Sequence, residues 1–204
     1  MGGRSRKRER TWDMKTVTWL CIAAMMLFSA VANAQQIDEV RVGANWAQPD
    51  WLDSNHPEDH QHGIGAEILF APVNIDFFGF AEGRSSEFVR IMFNPRPHIG
   101  GMVNLDDDGT SYAVGGLTWH YAIDDVFFVE TGFGMGVHDG LTKSKKGRAN
   151  LGSRVLFHER FGFGVNLTDK MTATLAVEHL SHARLFDDKN RGLSSVSLRL
   201  GQKF

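Results

Sequence analysis

Near the end of the chain, His179 and Ser181 stand in the run Glu178-His179-Leu180-Ser181-His182-Ala183, followed by Asn190-Arg191-Gly192-Leu193. Two residues apart on a strand, they point to the same face. That face also carries Met171, Ala173, Leu175 and Val177, all apolar. A histidine that takes a proton beside a serine that attacks a carbonyl is the chemistry of acyl transfer, and here it ends an apolar stripe. A carboxylate that orients the imidazole and stabilises its cation would complete the set. Glu159 is the candidate, because it interrupts the stripe Phe157, Phe161, Phe163 on the preceding strand. Keeping both stripes on one side, with a turn centred on Asp169, puts Glu159 directly opposite His179, with Cβ atoms roughly 4.5–5.5 Å apart. The bland alternative is that His179, Ser181 and Ser194 are interfacial polar residues, and that Glu159, between His158 and Arg160, is a rim charge.

The elements that must position these residues are strands, because alternation is the dominant pattern. The apolar faces read Val40, Val42, Ala44, Trp46; Ile64, Ala66, Ile68, Phe70; Val89, Ile91, Phe93; Ala113, Gly115, Leu117, Trp119, Tyr121; Phe127, Val129, Thr131, Phe133, Met135, Val137; Phe157, Phe161, Phe163, Val165; the Met171–Val177 stripe; and Val196, Leu198, Leu200 up to Phe204. The opposite faces are small or charged, with Arg41, Glu67, Arg90, Glu130, Arg160, Glu178 and Arg199 placed to pair inside a narrow lumen. This predicts an all-β fold: an eight-stranded antiparallel transmembrane β-barrel of up-and-down topology, whose interior is filled by side chains. A soluble sandwich or lipocalin would turn the same faces the other way. Trp46, Trp119, Tyr121 and Phe204 near the strand ends favour the membrane.

Residues 1–34 read as a cleaved signal peptide. Lys15 precedes a mostly apolar Val17–Val31, then Ala32-Asn33-Ala34 as the cleavage site, with Met1 or Met14 as the start. Residues 35–204 form a single barrel domain in this reading, reaching the outer membrane of a Gram-negative cell after Sec-type export. The one cysteine, Cys21, lies in the leader, so cysteine catalysis, disulfides and thiolate metal sites are excluded from the mature chain. Residues 1–34 carry six of the 22 Lys/Arg and two of the 24 Asp/Glu, so the remainder holds 16 against 22 and a formal charge of −6. That balance argues against nucleic acid as a partner.

If the chain starts in the periplasm, odd strands run outward. Short periplasmic turns are expected at Ile123-Asp124-Asp125 and Leu167-Thr168-Asp169, with Pro72–Ser85 longer than the rule prefers. External loops are expected over 47–63, 100–110, 139–150 and 183–191. His179 and Ser181 then lie at the outer-leaflet interface and face lipid. In the first loop His56, His60 and His62 with Asp53, Glu58 and Asp59 offer metal-ligand types, although a solvated charged loop explains them as well.

His179-Leu180-Ser181 with Ala183, Asn190, Gly192 and a last strand ending in Phe204 resembles the lipid A 3-O-deacylase (PagL-like, acyloxyacyl hydrolase) family. Glu67-Ile68-Leu69, Pro95-Arg96-Pro97, Gly115-Gly116-Leu117-Thr118-Trp119, Phe127-Phe128-Val129-Glu130 and Val137-His138-Asp139-Gly140 extend the likeness over most of 37–204. The resemblance implies an outer-membrane serine hydrolase, without cofactor or metal, that removes an ester-linked 3-hydroxyacyl chain from lipid A. Its partner would be lipopolysaccharide of the outer leaflet, and the barrel a monomer or homodimer. His179 matches the family's base and Ser181 its nucleophile. Two positions depart. His182 stands where the family has an asparagine thought to support the oxyanion, and on a regular strand it would point inward. Ser194 stands at the family's acid. Glu159 then replaces the acid, with Asp187 and Asp188 as further candidates, or activity is weak, or the chain is a non-catalytic structural or surface-binding barrel.

Overall fold

A computed structural model describes residues 36–47, 61–80, 86–107, 109–142, 151–182 and 192–204. The leader, Cys21, and Asp53, His56, Glu58, Asp59, His60, Asp187 and Asp188 lie outside the described residues.

Eight strands close into one antiparallel barrel in sequence order. They are β1 (Ile37–Ala47), β2 (Gln61–Phe70), β3 (Arg96–Asn104), β4 (Tyr112–Ala122), β5 (Phe127–His138), β6 (Val155–Asn166), β7 (Met171–Ser181) and β8 (Leu193–Lys203), with one short helix, α1 (Glu87–Met92), between β2 and β3. β8 closes on β1, from Glu39↔Lys203 to Ala47↔Ser195. Closure pairs the edges that an open sheet would expose.

The wall is inside-out relative to a water-soluble protein. Leu198, Leu200, Ile64, Phe161, Phe133, Met135 and Leu175 face outward, each roughly half exposed. A continuous apolar surface of this extent belongs against lipid. Inside, Arg41 binds Glu39 at 2.9 Å and Glu130 at 2.7 Å, and Arg96 reaches Glu39 at 3.1 Å. Glu67 is shared by Arg41 at 3.7 Å, Arg199 at 3.4 Å and Arg160. Glu178 holds Arg199, His158 at 3.3 Å, the Ser197 hydroxyl at 2.9 Å and the Tyr112 hydroxyl at 3.3 Å. Four arginines thus meet four glutamates, and each charge is compensated where water is scarce. Above this layer an apolar plug of Ala47, Met102, Tyr112, Val114, Leu151, Leu156, Leu180 and Leu193 fills the loop end. Below it, Phe128 lies buried against His120, ring centroids 4.6 Å apart.

The short turns sit where expected. Asp124 Oδ1 accepts from the N–H groups of Val126 and Phe127, at 2.8 and 2.6 Å, and Thr168 Oγ1 accepts from that of Met171 at 3.0 Å. This short-turn end is the periplasmic end of an outer-membrane barrel.

The third strand is corrected. Val89 and Ile91 belong to α1, and Phe93 caps it. Arg90 is accordingly exposed, and Arg96 with Glu39 joins the lumen in its place. β3 is Arg96–Asn104, so residues 100–104, expected in an external loop, belong to the wall. Pro97 is tolerated because the ladder with β2 runs only from Gly63↔Asn104 to Leu69↔His98, leaving Pro97 beyond its end. Gly101 is needed because a Cβ there would sit 2.4 Å from the Tyr112 carbonyl oxygen. The β2–β3 connection is therefore long, spanning 71–95.

Candidate active site

β5 to β8 hold two neighbouring rows of outward side chains at the loop end. The first row runs Phe133, Glu159, His179, Ser194 across four strands. The second runs Met135, Phe157, Ser181. One residue beyond the last β7–β8 pair, Leu180↔Leu193, the register brings Gly192 to the level of Ser181. His179 stands between Glu159 on one side and Ser194 on the other.

The imidazole is hydrogen-bonded to Ser194, whose Oγ lies 2.8 Å from His179 Nδ1. With Nδ1–H donating to that hydroxyl, Nε2 keeps its lone pair and can serve as a base. The ring is seated by Gly192. A Cβ at that position would lie 2.7 Å from His179 Cε1 and 3.0 Å from Nε2, and the residue has φ +66°, a conformation that favours glycine. The imidazole therefore reaches from its own row towards the level of Gly192 and Ser181. Glu159 contributes a charge across the strand pair rather than the bond to Nδ1.

The backing of the site is firm. Leu180 and Leu193, both fully buried, face inward between the outward site residues and fix the two strand ends in the apolar plug. Beside Ser181 the surface is aromatic: Phe157 stacks on Phe133 at 6.0 Å between centroids and 19° between planes. The face around Ser181 thus offers a hydroxyl, an imidazole on the neighbouring row and an apolar aromatic wall.

His182 is fully buried and follows Ser181 on the inward parity of β7. Of the loop residues considered for a metal, His62 is engaged by Asp106, with Nδ1 3.1 Å from Oδ2. The Asp106 carboxyl is held below its ordinary value, first by the His62 backbone N–H. Among the described residues no group of three His, Cys, Asp or Glu side chains is placed to hold a metal ion.

The alternation of the sequence pointed to the rows of Glu159, His179 and Ser181. It missed that Ser194 would make the bond to Nδ1 and that Gly192 would seat the ring. A glycine two residues before an outward serine, at the start of a strand facing the histidine, was the available signal.

The closed eight-stranded wall, charged inside and apolar outside, defines an outer-membrane β-barrel. The family model described as lipid A 3-O-deacylase (PagL) matches residues 42–203, and the chain belongs to that family. The barrel is similar to the crystal structure of the outer membrane enzyme PagL, with a TM-score of 0.53 and 18% identity over 81% of this chain and 99% of that one. It also matches the N-terminal barrel domain of Pseudomonas aeruginosa OprF, with a TM-score of 0.46 and 11% identity over 83% of this chain and 99% of that one. Neisserial surface protein A matches with a TM-score of 0.46 and 10% identity over 84% of this chain and 99% of that one. No curated protein matches the chain in sequence.

Proposed function

We propose that the protein is an outer-membrane serine hydrolase that removes an ester-linked 3-hydroxyacyl chain from lipid A. The observation that carries the reading is the hydrogen-bonded His179, turned by Ser194 and Gly192 towards the row of Ser181 on a lipid-facing wall. His179 takes the Ser181 proton as the hydroxyl attacks the ester carbonyl. It then returns that proton to the departing sugar oxygen, and water releases the acyl chain from Ser181 by the same steps in reverse order of partners. Glu159 stabilises the imidazolium by charge, and Ser194 fixes its orientation. Phe157 and Phe133 form the surface along which the acyl chain lies. Residues 1–34 serve export and are removed, and residues 35–204 act as the mature barrel.

The test is to incubate the purified barrel with lipid A and measure free 3-hydroxy fatty acid. Release by the wild type and none by a folded Ser181→Ala variant is expected. Equal release by both removes Ser181 from the mechanism.

A second reading, a barrel that has lost catalysis and serves the membrane structurally or binds at the cell surface, is favoured by Ser194 in place of an acid and by the inward His182. It expects no release from either protein.

A further inference from the structure

At the periplasmic end, the 71–95 connection does something that barrel closure alone does not require. Val73 N–H donates to the Pro95 carbonyl and Ile75 N–H to the Phe93 carbonyl, both at 2.9 Å, extending the β2–β3 hairpin two rungs past the wall. The chain then turns on Asp76, whose Oδ1 accepts from Phe80 N–H at 2.7 Å. α1 leads back, and the carbonyl of Met92 accepts from Trp119 Nε1 at 2.9 Å. Trp119 lies on the outward face of β4, so the end of α1 is hooked to the outside of the barrel, not laid over its mouth.

This segment carries an apolar surface that nothing among the described residues covers. Phe77 is 84% exposed, Phe78 83%, Phe88 69%, Phe80 60% and Met92 43%. Phe78 and Phe80 lie with centroids 5.8 Å apart, and Phe80 stacks on Phe93 at 6.5 Å, so the rings form one patch. Through Trp119 the patch is continuous with the lipid-facing wall, and Tyr121, Ile123, Val126 and Leu167 extend the exposed apolar surface around the same end. Glu87 and Arg90 on α1 are exposed beside it, so charge and aromatic rings alternate as they do where headgroups meet acyl chains.

We propose that residues 71–80 and 86–95 form an interfacial anchor that inserts Phe77, Phe78, Phe80 and Phe88 into the periplasmic leaflet, at the boundary between phospholipid headgroups and acyl chains. The partner is the phospholipid surface itself, and the anchor is independent of any catalysis at Ser181. By holding one end of the barrel at a fixed depth, it also sets the level of the site row at the other end.

The test uses nitroxide labels on the full chain with Cys21→Ser, inserted in phosphatidylethanolamine and phosphatidylglycerol vesicles. Labels go on Phe78→Cys and Phe88→Cys, with Phe77→Cys held in reserve should either fail to assemble. Leu198→Cys serves as the mid-wall reference and Asp106→Cys as the aqueous one. Accessibility to oxygen several-fold above that to a water-soluble nickel complex, as at 198, is expected at both 78 and 88. Accessibility like that at 106 at either anchor position overturns the proposal.

Discussion

Replacing Glu159 by glutamine asks whether a carboxylate that makes no hydrogen bond to the histidine still drives the reaction. At the roughly 5 Å spacing of a cross-strand pair, a carboxylate and an imidazolium attract by about 3 kcal/mol at an effective dielectric near 20. Glu159 is exposed on the wall, so solvent reaching the headgroup level lowers this towards about 1 kcal/mol. Glu159→Gln is therefore expected to reduce kcat by roughly five- to 150-fold, with little change in KM, since the charge is needed only when the imidazolium forms. Ser194 supplies the second half of the argument. Its hydroxyl already lies 2.8 Å from Nδ1, so Ser194→Asp replaces a neutral hydrogen bond by a charge-assisted one. A gain of about 1–2 kcal/mol, some five- to 30-fold in kcat, is expected. With Ser194→Asp in place the two carboxylates are redundant, so adding Glu159→Gln should leave kcat within about twofold of Ser194→Asp alone. The assay is release of 3-hydroxy fatty acid from lipid A by purified, folded barrel. No loss from Glu159→Gln together with no gain from Ser194→Asp would refute the reasoning.

Other expectations follow from the same geometry. Gly192→Ala puts a Cβ against Cε1 and Nε2 of His179 at a positive φ, so activity should fall at least tenfold while gel mobility still reports a folded barrel. An alkyl fluorophosphonate should label the wild type at Ser181, seen by peptide mass spectrometry, and label His179→Ala at a rate at least a hundredfold lower. Glu67→Ala strips a shared carboxylate from Arg41, Arg160 and Arg199, and should cost about 3–5 kcal/mol in urea unfolding from lipid vesicles. Leu180→Ala opens the plug beneath the site and should cost about 2–5 kcal/mol in the same experiment.

Most of the wall was legible because a membrane barrel writes its two environments into alternate residues. The stripe Leu175, Val177 and the buried Glu178 could be assigned to faces without any knowledge of neighbours, and the Glu159 and His179 pairing followed from requiring two stripes to share a face. β3 failed for a local reason. Pro97, Gly100 and Gly101 look like loop chemistry, and their places in the strand depend on where β2 stops and how near Tyr112 passes, which are tertiary facts. Val89, Ile91 and Phe93 alternate like a strand, yet Val89 and Ile91 lie in a six-residue helix that Phe93 caps, and its last carbonyl, of Met92, meets Trp119. At the site, residue types nominated His179 and Ser181 as candidate base and nucleophile. The orientation of the ring depends on the β7–β8 register and on the absence of a side chain at Gly192, neither of which periodicity encodes.

The most direct test of the central claim is mass spectrometry of lipid A from Gram-negative cells expressing the wild type beside Ser181→Ala, with both proteins shown to be folded in the outer membrane. The account predicts that lipid A loses the mass of one 3-hydroxyacyl chain with the wild type alone. Identical lipid A from both strains, using a host whose lipid A carries that chain in ester linkage, would contradict it.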